Sequence, residues 1–539
     1  MKRGLVLLCA AMVTLGLLGS GAGAGTGAGR SAGPHLEPAS GGGDGTLGVA
    51  AARARRQGYL VPNQTAYERA KAAAAKSVGL PVAHASQGAA APTTAVGWKG
   101  LASPGNSPSD STGAIGTTRY IETVNAKVGI YDRAGALIKS DSLTNWWQEA
   151  GNDNFDPQVM WDARTNRFYY AGDSVASSID NRLAFGFSRS ASPNDATTDW
   201  CHYQLGYGSD FPDYPKLGDS RDFALIGVNV FTGTTYTGSD IVGIGKPVGT
   251  ASISTCPDAA TFAFGTVTDI KMANGTTPAY TPVPATEVDA NGTGYVVARS
   301  GSLPATALTI LTVTKNLDGT PKFTTKGTNV TVPSYTVPPA APQSGTGRTI
   351  DTLDSRPTQA IAAVDPAKSN AFALWTQHTV KGGAGAEVRW YEINPATATV
   401  LQSGKVTSST VYSFNGAISP DRVVNGSSKA FGGNMVLGFN TSSSTTFPTI
   451  KMVSKLAGAA QSAPVKVKGS LGFDVDFACP GVTDECRWGD YSAATPDPAA
   501  PTAAATGVVW LTNMWNLNGS TIDPVSGTAW QTWNWSAEP

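Results

Sequence analysis

From about residue 113 onward, the chain alternates short apolar stretches with clusters of turn-forming residues. Segments such as "TTRYIETVN" and "KVGIYDR" have the length and the β-branched and aromatic content of strands, and Gly, Pro, Asn and Asp separate them. Asp and Asn favour turns because their side chains bond the local backbone, and Pro fixes φ. The pattern predicts an all-β domain over residues 113–539.

The predicted strands form seven loosely similar units, at intervals of roughly 45 to 65 residues. Each unit contains an apolar strand, a turn that often carries Asp, a second apolar strand and a third strand. The turn position is occupied by Asp162, Asp365, Asp421 and Asp497. Small sheets repeated around an axis are typical of a β-propeller, which leaves few exposed strand edges. We predict an all-β propeller with seven blades, or six, and a pair of β-sandwiches is the alternative.

Residues 1–24 have the pattern of a secretory signal peptide. Met1-Lys2-Arg3 is basic, the run from Gly4 to Leu18 is apolar but too short to span a bilayer, and Ala22-Gly23-Ala24 is a small-residue cleavage site. We therefore expect a secreted, extracellular protein that does not insert into a membrane.

Residues 25–112 are rich in Gly, Ala and Ser, and they are predicted to form a linker with one helix at 66–78. Thr65 and Glu68 make a capping-box pattern at the start of this helix, and Gly79 ends it. The Ala/Lys-rich composition is that of a packing or pro-segment helix rather than a catalytic one.

Charge and cysteine content narrow the classes of function. Charged residues are 14% of the chain, with 39 basic and 39 acidic, so the basic excess of nucleic-acid-binding proteins is absent and no nucleic-acid partner is expected. Four cysteines follow the signal peptide, and an even number in an exported protein favours disulfides over a metal site. Proximity favours the pairs Cys201–Cys256 and Cys479–Cys486, although other pairings stay open.

Four segments carry a resemblance to a known family: "DPQVMWDARTNRF", "DYPKLG", "VRWYEI" and "CRWGDYSAATPDP". They resemble secreted bacterial sialidase-like β-propeller proteins, over about residues 113–535. The resemblance implies a secreted propeller and no particular reaction. The S-x-D-x-G-x-x-W repeat of true sialidases is not evident, since "SPDRVVNGSS" comes nearest and lacks the tryptophan.

Charged and aromatic residues stand where the first strand of several units begins. In a propeller these strands line the central channel, so we expect the residues to converge on one mouth. The catalytic candidates are Asp156, Asp213, Asp490 and Tyr491, and the substrate-binding candidates are Tyr214, Lys216, Arg356, Asn415, Arg487 and Trp488.

The leading hypothesis is a protein, expected to be monomeric, that binds extracellular polysaccharide or glycoconjugate and cleaves it if the carboxylates act as an acid/base pair. Trp488 would offer a flat face to a sugar ring. A polysaccharide lyase with Tyr214 or Tyr491 as base is one alternative. A non-catalytic envelope or adhesion scaffold, with Arg487 paired to Asp490 or Asp213 as a structural clamp, is the other.

The stretch "GNDNFD" raises the question of a bound cation. Asn152, Asp153 and Asn154 supply oxygen ligands at a density that suits calcium, which makes calcium the one cofactor candidate. Turn chemistry explains the same residues without a metal.

Overall fold

The computed structural model describes residues 33–39, 60–76, 89–102, 107–476, 478–517, 522–523 and 527–539. The predicted signal peptide, residues 1–24, lies outside the described residues. Across the described ranges strands predominate, which confirms the all-β prediction.

Three elements precede the first sheet: β1 (His35–Pro38), α1 (Gln64–Ala75) and β2 (Thr93–Ala102). Helix α1 starts after Asn63, whose side-chain oxygen accepts a hydrogen bond from the Ala66 amide at 2.9 Å. Asn63 therefore takes the N-cap role predicted for Thr65, and the helix begins and ends earlier than predicted.

Within the described residues, seven sheets of four or more strands follow in chain order. Sheet 1 contains β3 (Thr112–Ile115), β4 (Arg119–Val124), β5 (Lys127–Asp132) and β6 (Leu137–Ser142). The short helix α2 (Leu143–Trp147) leads to sheet 2, which contains β7 (Asp153–Asp162), β8 (Arg167–Ser177), β9 (Asp180–Ser188), β10 (Trp200–Gly208) and, at its edge, β1. Sheet 3 contains β11 (Asp210–Asp219), β12 (Phe223–Thr232), β13 (Thr235–Gly245) and β14 (Phe264–Val267).

The remaining large sheets repeat this plan. Sheet 4 contains β15 (Ala279–Pro284), β17 (Gly294–Ser300), β18 (Ala305–Lys315), β19 (Pro321–Thr325) and β20 (Val330–Tyr335). Sheet 5 contains β23 (Pro357–Asp365), β24 (Ala371–Gly382), β25 (Gly385–Asn394) and β26 (Thr399–Val406), with β16 (Thr286–Glu287) parallel to β23. Sheet 6 contains β27 (Tyr412–Pro420), β30 (Met435–Ser443), β31 (Thr446–Lys455) and β32 (Val465–Gly469). Sheet 7 contains β34 (Ala493–Pro496), β35 (Val509–Asn516), β38 (Trp530–Glu538) and β2.

The connections between these sheets carry short elements. Single 3₁₀ turns lie at Ala259–Thr261 and Pro366–Lys368. Small pairings involve β21 (Ala341–Pro342), β22 (Thr349–Ile350), β28 (Val423–Asn425), β29 (Ser428–Ala430), β33 (Glu485–Cys486), β36 (Ile522–Asp523) and β37 (Gly527–Thr528).

The first strands of neighbouring sheets lie against one another. Contacts run from β3 through β7, β11, β15, β23, β27 and β34, and β34 also contacts β3. Apolar clusters fill the space between neighbouring sheets, as Ile115, Tyr120 and Trp510 do between sheets 1 and 7. Both faces of a sheet are thereby buried, which is why strands such as β12 are mainly apolar rather than alternating.

Two strands lie inside the region predicted to be linker. Strand β2 pairs antiparallel with β38 and completes sheet 7, and β1 pairs with β10 at the edge of sheet 2. Both are edge strands with exposed positions, so Gly, Thr and Lys are tolerated there and the composition resembles that of a linker.

The two predicted disulfides are confirmed. Cys201 bonds Cys256 and Cys479 bonds Cys486, with S–S distances of 2.01 and 2.04 Å. Among the helices of the described ranges, none has the length and apolar character needed to cross a bilayer.

A substitution of Trp98 in β2 tests whether this residue joins the first and last sheets. Its ring packs against Tyr120, Tyr131 and Trp510, at centroid distances of 5.4, 5.6 and 5.8 Å. We expect Trp98→Ala to lower the free energy of unfolding by about 2 to 3 kcal/mol in urea denaturation, because it removes contacts to both sheets. The control is Lys99→Ala, an exposed neighbour that should change it by less than about 0.5 kcal/mol. Equal losses in the two variants would contradict the role of Trp98.

Candidate functional site

A repeated backbone feature shapes one end of the first strands, the end at which the chain enters them, here called the mouth. In each of the seven large sheets of the described chain, a residue in or shortly before the first strand has positive φ. These residues are, in sheet order, Asp110, Asp156, Tyr214, Thr281, Ser355, Asn415 and Gly489. In sheets 2, 3, 4 and 6 the pairing register shifts at this point, which is the mark of a β-bulge. Bulges re-aim side chains and occur beside active sites, so the mouth is the candidate site.

The local sequence accommodates these bulges. Asp156, Tyr214 and Thr281 are each followed by Pro, whose missing N–H is tolerated at a bulge of an edge strand. Asp accepts the left-handed conformation more readily than Tyr or Thr does. The φ values of 60° at Tyr214 and 54° at Thr281 therefore require packing that enforces them.

Two tyrosine rings and a lysine form the centre of the site. Tyr214 and Tyr491 stack with ring centroids 4.8 Å apart and an interplanar angle of 20°. The Nζ of Lys216 lies 3.7 Å from the Tyr491 centroid and 4.2 Å from that of Tyr214. Burial lowers the pKa of Lys216 well below the usual lysine range, although Asp490 and Asp156 lie near enough to oppose the shift. A buried amine of this kind can accept a proton as well as donate one.

Two carboxyl groups with raised pKa values share this environment. Asp156 accepts a hydrogen bond from the Tyr491 hydroxyl at 2.7 Å. Burial and the charge of Asp490 raise the pKa of Asp156 to about 6. Burial raises the pKa of Asp213 to about 7 against the opposing effect of Arg356. Asp213 is partly exposed, and within the described part of the chain no group donates a hydrogen bond to its carboxylate.

Arg356 is fixed by an ion-pair network in which two arginines share the carboxylate of Asp354. Its Nε and Nη2 bond the two carboxylate oxygens of Asp354 at 2.6 and 3.1 Å, and Arg299 bonds Asp354 at 2.9 Å. The two guanidinium groups outweigh burial and hold the pKa of Asp354 below its usual range. Arg356 also donates to the Tyr280 hydroxyl at 2.9 Å and lies over the Tyr214 ring at 4.3 Å. This network fixes one wall of the mouth.

The segment "RWGDY" forms a second part of the mouth, joined to the first through Tyr214. Arg487 bonds Asp490 at 2.7 Å across one turn of the chain, as the clamp hypothesis predicts. The Asp490 amide donates to Asp110 at 2.7 Å, and the Arg487 amide donates to Asp476 at 2.7 Å. The Asp490 carbonyl accepts from the Tyr214 hydroxyl at 2.8 Å, which ties sheet 3 to this segment.

The prediction that Trp488 offers a platform to sugar rings is wrong. Trp488 is 1% exposed, packs edge-on against Phe414, and donates its indole N–H to Asn440 at 3.0 Å. Gly489 follows it with a φ of 136°, so the chain turns and sends Trp488 into the core while Asp490 stays at the mouth. Asn415 is also buried, and its side-chain amide lies 3.3 Å from the Asn513 oxygen.

The proposed calcium ligands do not act as one set. The Asn152 side-chain nitrogen donates to Glu149 at 2.8 Å, and that of Asn154 donates to the Glu149 carbonyl at 3.1 Å. The amide oxygens of both are buried and lack a hydrogen-bond donor within the described residues, which suits cation ligands. Asp153 neighbours Asn154 in β7, so its side chain points to the other face of the sheet. Calcium at this position stays a prediction.

Several residues of the mouth were not among the predicted site residues. Asp354 and Tyr280 anchor Arg356, and Asp110 bonds Asp490. Asp354 stands two residues before Arg356 in "DSRP", a spacing that could have indicated an ion pair. The part played by Tyr280 depends on neighbouring sheets, which the local sequence does not show.

The segment that contains α1 lies over this mouth. The Tyr280 hydroxyl donates to the Leu60 carbonyl at 2.8 Å. Lys71 of α1 forms ion pairs with Asp351 at 3.0 Å and Glu485 at 2.6 Å. The segment therefore reaches from the sheet 4 side of the mouth to the loops that precede sheets 5 and 7.

No family model matches this chain, and no curated protein matches it. The chain is similar in structure to an apocarotenoid oxygenase mutant from Synechocystis, with a TM-score of 0.37, 10% identity and coverage of 67% of this chain and 72% of that one. It is also similar to the Dos1 propeller, with a TM-score of 0.35, 8% identity and coverage of 82% and 95%. A subtype N10 neuraminidase-like protein of A/little yellow-shouldered bat/Guatemala gives a TM-score of 0.31, 7% identity and coverage of 68% and 97%. Similarity at this level assigns no activity, and no family model or sequence relative supports the sialidase-like family.

The raised pKa of Asp213 predicts a pH dependence of stability. Between the ordinary value of 3.8 and about 7, the native state holds a proton that the unfolded chain has released. The free energy of unfolding should therefore fall as pH rises through this range. Asp213→Asn stays neutral at this position, so we expect its free energy of unfolding to fall less steeply, with Asp156 and Asp219 still titrating in this range. It should exceed the wild type at pH 8 by about 1 to 2 kcal/mol, since partial exposure screens the effect.

Urea denaturation between pH 4 and pH 8 measures this effect. Asp318→Asn, at an exposed turn of sheet 4, is the matched control and should follow the wild type across the whole range. Parallel curves for wild type and Asp213→Asn would show that Asp213 titrates normally.

Proposed function

We propose that the protein is a secreted, seven-bladed β-propeller that binds a carbohydrate at the mouth of its central channel and hydrolyses a glycosidic bond there. The observation that carries this proposal is that Asp156 and Asp213, both partly exposed, lie near enough for the charge of Asp213 to act on Asp156, with burial raising their pKa values to about 6 and about 7. Two carboxyl groups with separated pKa values supply the acid and the base that glycoside hydrolysis needs.

The circuit of contacts among the first strands supports the seven-bladed arrangement. Each first strand touches the next, and β34 touches β3. Strand β2, from the N-terminal region, completes sheet 7 and packs through Trp98 against sheet 1. A sheet that combines strands from both ends of the chain joins the first and last blades without a covalent link.

Asp213 is the proposed general acid. Its higher pKa keeps a large protonated fraction near neutral pH, and its partly exposed carboxyl group lacks a donor from the described residues, so a ligand oxygen can take its proton. Asp156 is the proposed base or nucleophile, because the Tyr491 hydroxyl orients its carboxylate and favours its ionised form.

The polar character of the mouth supports a carbohydrate as the ligand. Six of the seven positive-φ positions carry a hydrogen-bonding side chain; Asp156 is partly exposed, like the nearby Asp213, and the other five are buried. Convergent polar groups suit a ligand that presents many hydroxyl groups. Lys216 adds a donor or acceptor that forms no ion pair within the described chain.

A non-catalytic scaffold is the second candidate, and the internal pairing of the arginines favours it. Arg487 is matched by Asp490 and Arg356 by Asp354, so these charges suffice to tie neighbouring sheets without a ligand. The lyase hypothesis has less support, because burial raises the pKa of Tyr214 and Tyr491 well above the usual range and a tyrosine base must lose its proton.

A hydrolysis screen tests the proposal. The full chain, and a variant lacking residues 60–76, are incubated with neutral, amino-sugar and uronate-containing polysaccharides, and new reducing ends are measured. We expect hydrolysis of at least one class, with a bell-shaped pH profile whose limbs lie near 6 and 7, and a loss of about 100-fold or more in kcat for Asp213→Asn.

Asp318→Asn is the control and should keep the wild-type rate, because this aspartate lies at an exposed turn away from the mouth. If neither form of the protein releases reducing ends from any polysaccharide, the hydrolase proposal fails. Undiminished hydrolysis by Asp213→Asn would refute its assignment as the acid.

A further inference from the structure

Residues 60–76 cross the mouth in two parts, an extended stretch and helix α1. In the extended part, Leu60 packs against Phe155 and Phe211, which stand beside the site in the first strands of sheets 2 and 3. The Leu60 carbonyl also accepts the Tyr280 hydroxyl, which is the group that Arg356 holds. This stretch is therefore linked to Arg356 through the hydroxyl group of Tyr280.

The helical part continues to the other side of the mouth. Val61, just before the helix, and Tyr67, within it, pack against Leu353, which directly precedes Asp354. Farther along α1, Lys71 bridges Asp351 and Glu485, and its side chain is only 11% exposed. The charges of these carboxylates outweigh burial and raise the pKa of Lys71 above its usual range, so the ammonium form is the docked form.

The helix is held almost entirely by these contacts. Most residues of α1 are exposed, and Ala74 is the one buried residue of this helix. A helix of 12 residues is marginal in water on its own, so its order depends on docking. A cavity of about 80 Å³ remains beneath it, lined by Tyr67, Ala70 and Asp354 among others. Incomplete packing of this kind favours a contact that can be released.

We infer that residues 60–76 are an internal plug, which occupies the mouth and must move away before a ligand reaches the site. The inference rests on the proposed function only for the identity of that ligand. When the plug leaves, it uncovers the Phe155 and Phe211 rings beside Asp156 and Asp213. These rings are candidates for the sugar-stacking role that Trp488 does not fill. Departure of the plug also exposes Asp351 and Glu485, which bind the ammonium group of Lys71 while the plug is docked.

A charge reversal in the full chain tests the docked contact. Lys71→Glu places a third carboxylate beside Asp351 and Glu485, whereas Arg69→Glu makes the same charge change on the exposed face of α1. Hydrogen–deuterium exchange is measured at residues 60–76, 279–284 and 351–356. We expect Lys71→Glu to speed exchange in all three segments by about tenfold or more, and Arg69→Glu to leave them unchanged. Equal exchange in the two variants would overturn the inference.

A second measurement uses a synthetic peptide of residues 60–76 as the probe. The peptide is added to a linker variant of the protein, in which a Gly/Ser linker replaces residues 60–76. Circular dichroism and thermal melting check that this variant is folded. We expect calorimetry to detect peptide binding, weakened about tenfold or more in a peptide with Lys71→Glu. A folded variant that does not bind the wild-type peptide would contradict the plug.

The two proposals fail separately. Peptide binding and exchange report on the plug without any carbohydrate. If the peptide binds but the linker variant hydrolyses no polysaccharide, the plug stands and the hydrolase proposal fails. If the linker variant and the full chain hydrolyse the same polysaccharide at equal, measurable rates, the segment does not block the site and the plug is refuted.

Discussion

The mouth depends on a backbone constraint, the positive-φ residue at the start of each first strand. Such a residue bends the strand and redirects a side chain that would otherwise face a neighbouring sheet. Because the feature recurs from Asp110 to Gly489, groups from distant parts of the chain meet at one end of the structure. For Tyr214 and Thr281 the conformation costs roughly 1 to 2 kcal/mol each, and it persists only where packing enforces it. The contacts that hold the sheets together thus also sustain the strained geometry of the site.

The sequence predicts those features that follow from repetition along the chain. The all-β class and the meeting of Asp156, Asp213 and Tyr491 follow from residues that hold the same position in their units, whereas the disulfide pairs follow from the proximity of the cysteines in the sequence. The orientation of Trp488 does not follow, because it is set by the turn at Gly489, whose φ of 136° is a conformation that glycine permits. Strand β2 was not predicted for another reason. It is an exposed edge strand, so its residues need not follow the apolar pattern that identifies strands in a sequence.

Charged groups at the mouth differ in how far a partner compensates their burial. Asp354 bonds both Arg356 and Arg299, so its charge is stable in the interior. Asp213 and Lys216 have no comparable partner within the described residues, and burial pushes both toward their neutral forms. An uncompensated buried group lowers stability, and proteins keep such groups mainly at sites where their chemistry is used. This difference distinguishes the ion pair of Asp354 with the two arginines, which has a structural role, from Asp213 and Lys216, whose hydrogen-bonding capacity is not used within the described residues.

The protonation of the carboxyl groups at the mouth depends on whether the mouth is covered. Burial is the largest cause of the raised pKa values of Asp156 and Asp213, so any change that admits water lowers both values toward 3.8. Departure of residues 60–76 admits water, and a ligand that fills the same space excludes it again. Near pH 6 the covered site therefore holds more protons than the open one, and a ligand that closes the mouth must bring about proton uptake. Under the proposed function, a substrate that fits the mouth closely would restore the protonated form of Asp213, which is the form that general acid catalysis requires.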